Sequence, residues 1–231
     1  MALRALIFDV DGTLAETEEA HRAAFNQSFA EAGHDWHWSV DQYRVLLRVT
    51  GGRPRIRHFL GTIGETATDD EIASLHIRKN TLYAEMVAHG AVTLRPGVAR
   101  LIDEARRARL KLAIATTTSR SNIAALLEHL LAPDAAAWFG AIVAGEDVAA
   151  KKPDPEVYVR ALAALGIAAA EAVAIEDSRN GLLAATACGI ATIVTPSIYS
   201  DREDFTGARL VRPDLERPAA ITLVTLSGLL P

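Results

Sequence analysis

Leu6-Ile7-Phe8-Asp9-Val10-Asp11-Gly12-Thr13-Leu14 is the stretch that decides the fold. Leu6 to Phe8 reads as the apolar end of a buried strand, and Gly12 breaks the pattern at once. Two aspartates one residue apart therefore emerge where a strand meets a loop, the usual place for a site in an open α/β sheet. Alternate residues of a strand share a face, so Asp9 and Asp11 converge on one point. Carboxylates so close repel unless a cation or a proton lies between them. Mg²⁺ suits the pattern, because it takes a few carboxylate oxygens and keeps waters for a phosphorylated ligand. A bare Asp-x-Asp also occurs in Asp-rich turns, so the rest of the chain has to decide.

Outward from this stretch the periodicity changes twice. His21, Phe25 and Phe29 recur at four-residue spacing on a helix that Gly33 ends. Trp36, Trp38 and Tyr43 crowd a short segment read as packing, and Gln42 to Val49 is again helical. Thr50-Gly51-Gly52-Arg53-Pro54-Arg55 reads as a Gly-Pro loop carrying two cations. Ile56, Phe59, Leu60 and Ile63 suggest another helix. A longer one runs from Asp69 to Val87, opened by Thr68-Asp69-Asp70-Glu71. No strand is predicted from Ala15 to Ala91.

Beyond this helical stretch, strands and helices alternate. Arg95-Pro96-Gly97 opens a helix with Pro in its first turn. Lys111–Ala115, Ala141–Ala144, Ala172–Ile175 and Ile190–Val194 read as strands, Leu210-Val211 as a short edge strand. A helix with Asp154 as N-cap and Pro155 as first residue follows Lys151-Lys152-Pro153. Such alternation predicts parallel βαβ units. The fold class is α/β, a doubly wound, Rossmann-like parallel sheet core with an inserted helical cap. The core is expected at residues 1–15 and 94–231, the cap at 16–93.

The polar residues collect at strand ends. Asp9 and Asp11 follow the first strand, Thr116 and Thr117 the second, Glu176 and Asp177 the fourth, while Lys152 precedes a helix. In a parallel sheet these carboxyl ends lie along one edge. One cleft thus receives a nucleophile, a hydroxyl, a cation and further carboxylates, which is the set that phosphoryl transfer uses.

Taken in order, these stretches resemble the four motifs of the haloacid-dehalogenase-like (HAD) superfamily, and the resemblance covers essentially the whole chain. It implies that Asp9 attacks phosphorus to form an aspartyl-phosphate. Asp11 is then the general acid and base. Asp9, the Asp11 backbone carbonyl and Asp177 hold Mg²⁺, with Glu176 ligating directly or through water. Thr116 and the Thr117 amide meet phosphoryl oxygens. Lys152 stabilises both Asp9 and the transferring group, preferred to Lys151 because family lysines sit directly before this proline.

The helical insert resembles the cap of the β-phosphoglucomutase and phosphoglycolate phosphatase branch. Asp-Val-Asp-Gly-Thr-Leu-Ala-Glu-Thr-Glu-Glu-x-His, then Thr-Gly-Gly-Arg, then Ala-Thr-Thr-Thr-Ser-Arg look like the CbbY-type sugar-bisphosphate phosphatases. That resemblance implies a Mg²⁺-dependent phosphatase of a small phosphorylated sugar such as xylulose 1,5-bisphosphate. A β-phosphoglucomutase-like isomerase and a phosphoglycolate-type phosphatase are the alternatives. Substrate-binding residues are expected at Glu18, His21, Tyr43, Gly52, Arg53, Arg55, Lys79 and Thr117. Arg53 stands where that group has Lys, which keeps the charge and changes the geometry. Two guanidiniums suit a second phosphate.

Composition narrows the partners. At 231 residues the chain is half hydrophobic and 23% charged, which argues against disorder. Its 24 Lys+Arg against 29 Asp+Glu give a net charge of −5. The lack of a basic tract argues against nucleic acid and anionic membranes as partners. No apolar run approaches the ~20 residues of a membrane span, and Asp9 interrupts the start too early for a signal peptide. The single cysteine, Cys188, excludes an internal disulfide and suits a reducing, cytoplasmic setting. With no apolar patch marked for assembly, a monomer is expected.

Overall fold

The strands are short, nearly continuous apolar runs, which suits a parallel sheet covered on both faces. In the computed structural model, which describes residues 2–231, they are β1 (Ala5–Phe8), β2 (Lys111–Ala115), β3 (Ala141–Val143), β4 (Ala172–Glu176), β5 (Ala191–Val194) and β6 (Leu210–Val211). They form one sheet in the order β3-β2-β1-β4-β5-β6, with every neighbouring pair parallel. Phe8 of β1 lies in register with Ile114 of β2 and Ile175 of β4. The order reverses at β1, so the crevice of this doubly wound sheet opens at the carboxyl ends of β1 and its neighbours.

Two compact units divide the chain, one running to Glu16 and resuming at Thr93, the other comprising Thr17–Val92. Each border lies one residue from the one expected. Ala15 bridges Leu94 in antiparallel fashion, and Glu16 pairs with Arg95 at 3.3 Å, which ties Glu16 and Thr93 to the sheet unit.

The helices of the sheet unit are α5 (Val98–Arg107), α6 (Arg120–Leu130), α7 (Glu156–Leu165), α8 (Arg179–Ala187) and the short α9 (Leu223–Ser227). On one face of the sheet, Ala5, Ile7, Ala113, Ala115 and Ala174 join Val157, Tyr158 and Ala161 of α7 and Ala184 of α8 in a single core. The alanines keep α7 and α8 close to the strands, so groups at the start of α7 reach the strand ends.

The other unit contains α1 (Glu18–Glu31), α2 (Val40–Leu46), α3 (Gly52–Ile63) and α4 (Asp69–Ala88). Its core is aromatic. Trp38 is buried against Phe25, Phe29 and Phe59, with ring centroids 4.6, 5.0 and 5.6 Å away. Trp36 is only half-buried, and its Nε1 donates to Glu65 at 2.7 Å.

Three local expectations are corrected. The stretch Gly52–Arg55, expected as loop, is the first turn of α3. Pro54 is tolerated there because first-turn N–H groups have no intrahelical acceptor. α5 starts at Val98 with Gly97 as its N-cap, so Pro96 precedes the helix and is not in its first turn. Pro155 caps α7 in place of Asp154, whose carboxylate accepts the Glu156 N–H at 2.9 Å. Among the described residues no helix is long and apolar enough to cross a membrane.

α4 opens with a full capping box, the Thr68 hydroxyl accepting from the Glu71 N–H at 3.2 Å and the Glu71 carboxylate accepting from the Thr68 N–H at 2.7 Å. Thr68→Ala removes half of it and should cost about 1 kcal/mol. Thermal melting is the check, and an unchanged melting temperature contradicts the assignment.

Candidate active site

Three chain segments meet on one ammonium group. β1 delivers Asp9, β4 ends on Glu176, and Lys152 enters from the turn before α7. Lys152 Nζ donates to Asp9 Oδ1 at 2.6 Å, to Glu176 Oε1 at 2.7 Å and to the Ala115 carbonyl at 2.8 Å. An ammonium has three donors, and all are used. The three side chains are almost wholly buried. Burial alone would lower the Lys152 pKa, but Asp9 and Glu176 outweigh it and raise it above the ordinary lysine value. Lys151 turns elsewhere, donating to the Gly145 carbonyl at 2.8 Å.

Glu176 is held from every side. Its Oε1 also accepts from the Tyr158 hydroxyl at 2.5 Å, and its Oε2 from the Asp177 N–H at 3.3 Å. Burial, then the Glu176 charge, pushes the Tyr158 phenol well above its ordinary value, so it stays a donor. A Cβ on Gly181 would lie 1.9 Å from Glu176 Oε2, so only glycine lets α8 approach the carboxylate.

Asp177 is placed by Ser200, whose Oγ donates to the Asp177 carbonyl at 2.7 Å and lies 3.3 Å from its Oδ2. Asp11 is half-buried at the head of a tight turn in which the Leu14 N–H reaches the Val10 carbonyl at 2.9 Å. Gly12 occupies that turn at φ +76°, and a Cβ there would meet Asp177 Oδ2 at 2.3 Å. The turn thus needs glycine for its conformation and for its clearance.

One carboxylate oxygen from each of Asp9, Glu176 and Asp177 lies within 4.8 Å of the others. Burial raises Asp9 to about 7; Lys152 opposes the rise, while Glu176 and Asp11 add to it. One ammonium does not balance this many carboxylates. A hard, oxygen-only donor set short of positive charge fits a divalent cation such as Mg²⁺.

Thr116 is buried just after β2, and its Oγ1 accepts from the Thr118 N–H at 3.3 Å; Thr117 beside it is half-buried. The chain turns there into α6, capped by Ser119. Asp9, Asp11, Thr116, Thr117, Lys152, Glu176 and Asp177 all belong to the sheet unit, at strand ends or a helix entry.

The other expected residues form a separate constellation in the helical unit. Tyr43 OH donates to Glu18 Oε2 at 2.9 Å and accepts from Arg55 Nη1 at 3.0 Å, linking α1, α2 and α3. His21 is buried, stacked on Tyr83 at 3.9 Å, with Nδ1 2.8 Å from the buried Lys79 Nζ. Gly52 abuts His76, whose ring would lie 2.4 Å from a Cβ there. Burial foremost, then Lys79, Arg53, His21 and Arg55, lowers His76 to about 3 and keeps it neutral. Arg53 is exposed on the first turn of α3.

Sequence reasoning missed Tyr158, Ser200, Arg95 and His76. Tyr158 looks like an ordinary core position of α7, and Ser200 lies far along the chain from the aspartate it supports. His76 could have been found, since it stands three residues before Lys79 on one helix face.

Comparison with known proteins agrees with this geometry. The family model for haloacid dehalogenase-like hydrolases matches residues 3–189. Protein CbbY of Rhodobacter capsulatus is 51% identical over 219 residues, covering 95% of this chain and 96% of the relative. The crystal structure of CbbY from Rhodobacter sphaeroides in complex with phosphate superposes with a TM-score of 0.91 at 44% identity, covering 95% of this chain and 97% of that one. An Asp-to-Asn mutant of the same protein, crystallised with xylulose 1,5-bisphosphate, matches with the same scores.

The Asp9 environment carries a stability signature. Its pKa is about 7 when folded and metal-free, against 3.8 as the ordinary value. The folded state therefore binds the proton more tightly, and this stabilisation is lost as pH rises through 7. In EDTA the melting temperature should fall between about pH 4 and about pH 7 by more in the wild type than in Asp9→Asn, which has no charge to bury. Parallel profiles contradict the assignment.

Proposed function

Because the chain belongs to the haloacid dehalogenase-like hydrolase family and is a phosphoric monoester hydrolase, we propose that it hydrolyses a sugar bisphosphate, xylulose 1,5-bisphosphate, through an aspartyl-phosphate on Asp9. The observation that carries the reading is the Lys152 ammonium shared between Asp9 and Glu176. It orients the Asp9 carboxylate and brings a fixed positive charge to where the phosphoryl group meets it.

Asp9 attacks phosphorus, the bond to the sugar oxygen breaks, and Asp11 gives that oxygen its proton. Asp11 then takes a proton from water as the water oxygen attacks phosphorus, which releases inorganic phosphate and restores Asp9. Thr116 Oγ and the Thr117 amide bind phosphoryl oxygens, and Lys152 neutralises charge in both steps. Asp9, the Asp11 carbonyl and Asp177 would hold Mg²⁺, with Glu176 ligating directly or through water. When bound, the ion supplies charge neutralisation and orientation of the phosphoryl oxygens.

In the helical unit, Arg53, Arg55 and Lys79 take the second phosphate, which Arg binds bidentately. Glu18, His21 and Tyr43 serve the sugar hydroxyls, and Gly52 offers backbone. The cations gathered around a neutral His76 support this part of the reading. So does the sugar bisphosphate in the crystal structure of the CbbY mutant. The net charge of −5 argues against a nucleic-acid or anionic-membrane partner, and the single cysteine suits a cytoplasmic setting.

Phosphate release should require Mg²⁺, cease in EDTA, and favour xylulose 1,5-bisphosphate over ribulose 1,5-bisphosphate, phosphoglycolate and β-glucose 1-phosphate. Flat activity across that panel contradicts the substrate assignment and leaves the chemistry intact. Arg55→Ala should raise KM for the bisphosphate by about tenfold or more, with less effect on monophosphates, since about 1.4 kcal/mol is a factor of ten. Equal effects on both would sink the second-phosphate role.

A further inference from the structure

Arg95 lies outside the phosphoryl-transfer set, yet its side chain is only 6% exposed and each of its guanidinium nitrogens faces an oxygen partner. Nη1 donates to the carbonyls of Gly12 and, at 2.6 Å, Thr195. Nη2 donates to the carbonyls of Pro196 at 2.9 Å and Pro213 at 2.8 Å. Nε lies 3.3 Å from Glu16 Oε1. A guanidinium has five N–H donors in a rigid plane, and five acceptors meet it here.

The identity of those acceptors gives the cluster its meaning. Gly12 is the turn that follows Asp9 and Asp11. Thr195 and Pro196 leave β5, and Pro213 lies just beyond β6. The Thr195 N–H donates to the Glu176 carbonyl at 2.8 Å. One residue beyond Pro196, the Ser197 N–H donates to Ser200 Oγ at 2.9 Å, and that hydroxyl holds the Asp177 carbonyl. Arg95 therefore ties the loop bearing Asp9 and Asp11 to the loop that seats Asp177. The sheet fixes the bases of both loops, through the Asp9 N–H on the Ile175 carbonyl at 3.0 Å and the Thr195 N–H on the Glu176 carbonyl, whereas Gly12 and Pro196 lie beyond these bonds, where Arg95 holds them.

We propose that Arg95 is a positioning residue that sets the spacing between the Asp9–Asp11 loop and Asp177, and so governs turnover and cation affinity without touching substrate. The inference rests on the phosphatase reading for its kinetic arm alone. Lysine cannot substitute, since three donors radiating from one nitrogen cannot reach five acceptors spread around a plane.

The test compares Arg95→Lys and Arg95→Ala with wild type in three measurements: melting temperature, the split between kcat and KM, and Mg²⁺ affinity by calorimetry on substrate-free protein. Arg95→Lys keeps the charge and some bonds, so it is the variant to read should Arg95→Ala fail to fold. The expected result for a folded variant is a kcat lower by about tenfold or more, in keeping with the cost of sub-ångström misplacement. The KM for substrate should stay within about threefold, and the Mg²⁺ dissociation constant should rise at least about fivefold. Added guanidinium chloride at low millimolar concentration should restore part of the loss in Arg95→Ala, and sodium chloride should not. A lowered melting temperature with wild-type kcat and wild-type Mg²⁺ affinity in Arg95→Lys overturns the proposal and leaves Arg95 a structural tie. If wild-type protein turns over none of the sugar phosphates, the phosphatase reading fails separately, and the Mg²⁺ titration still decides on Arg95.

Discussion

The structure of the sheet unit turns on one buried ammonium. Lys152 stands between Asp9 and Glu176 with its third donor on the Ala115 carbonyl, so it joins β1, β4 and the end of β2 at the crevice. Removing any one partner would leave a buried charge without its counter-charge, which is far costlier than losing an exposed ion pair. The surrounding groups follow from that requirement. Tyr158 supplies Glu176 with another donor, Gly181 gives it room, and the alanine-rich face of the sheet lets α7 bring Lys152 into reach. Even so the carboxylates exceed the cations, and the Asp9 pKa is raised, by burial first and then by Glu176 and Asp11, against the opposing charge of Lys152.

Such a centre also explains why the β1–β4 junction carries the chemistry. Parallel strands deliver side chains to one edge, and the reversal of strand order parts the loops there. The loops then need restraints of their own. Ser200 restrains Asp177, the Gly12 turn restrains Asp11, and both lie beside a side chain, Arg95, whose donors end on the loop carbonyls. In the helical unit the balance is reversed. Arg55 and Lys79 stand near a histidine that their charges, added to its burial, keep neutral, and Glu18 meets Arg55 through Tyr43.

Much of this is legible in the sequence, for physical reasons that differ by element. Buried parallel strands announce themselves as apolar runs, so β1, β2 and β4 fall within a residue of their expected ends, and the alternation with helices implies the parallel sheet. Strand-end polar residues are legible because an Asp, Thr or Glu that closes a buried apolar run must open onto a cleft or onto solvent. Helix starts are less so. A Gly-Gly-Arg-Pro-Arg string reads as loop because glycine and proline disfavour helix interiors, yet the first turn tolerates both. Residues such as Tyr158 and Arg95 are illegible for another reason. Their partners are a distant glutamate and backbone carbonyls, and carbonyls leave no trace in side-chain identity. His21 shows the remaining ambiguity, since its spacing marks it as core and the structure gives it both an aromatic stack and a buried lysine.

The central claim is that Asp9 carries the phosphoryl group. Single-turnover reactions quenched in acid, reduced with borohydride and peptide-mapped would test it directly, because borohydride converts an aspartyl-phosphate to homoserine. The account predicts homoserine at position 9 that depends on substrate and time. Homoserine at another aspartate, or phosphate release at full rate with position 9 unchanged throughout, would contradict it.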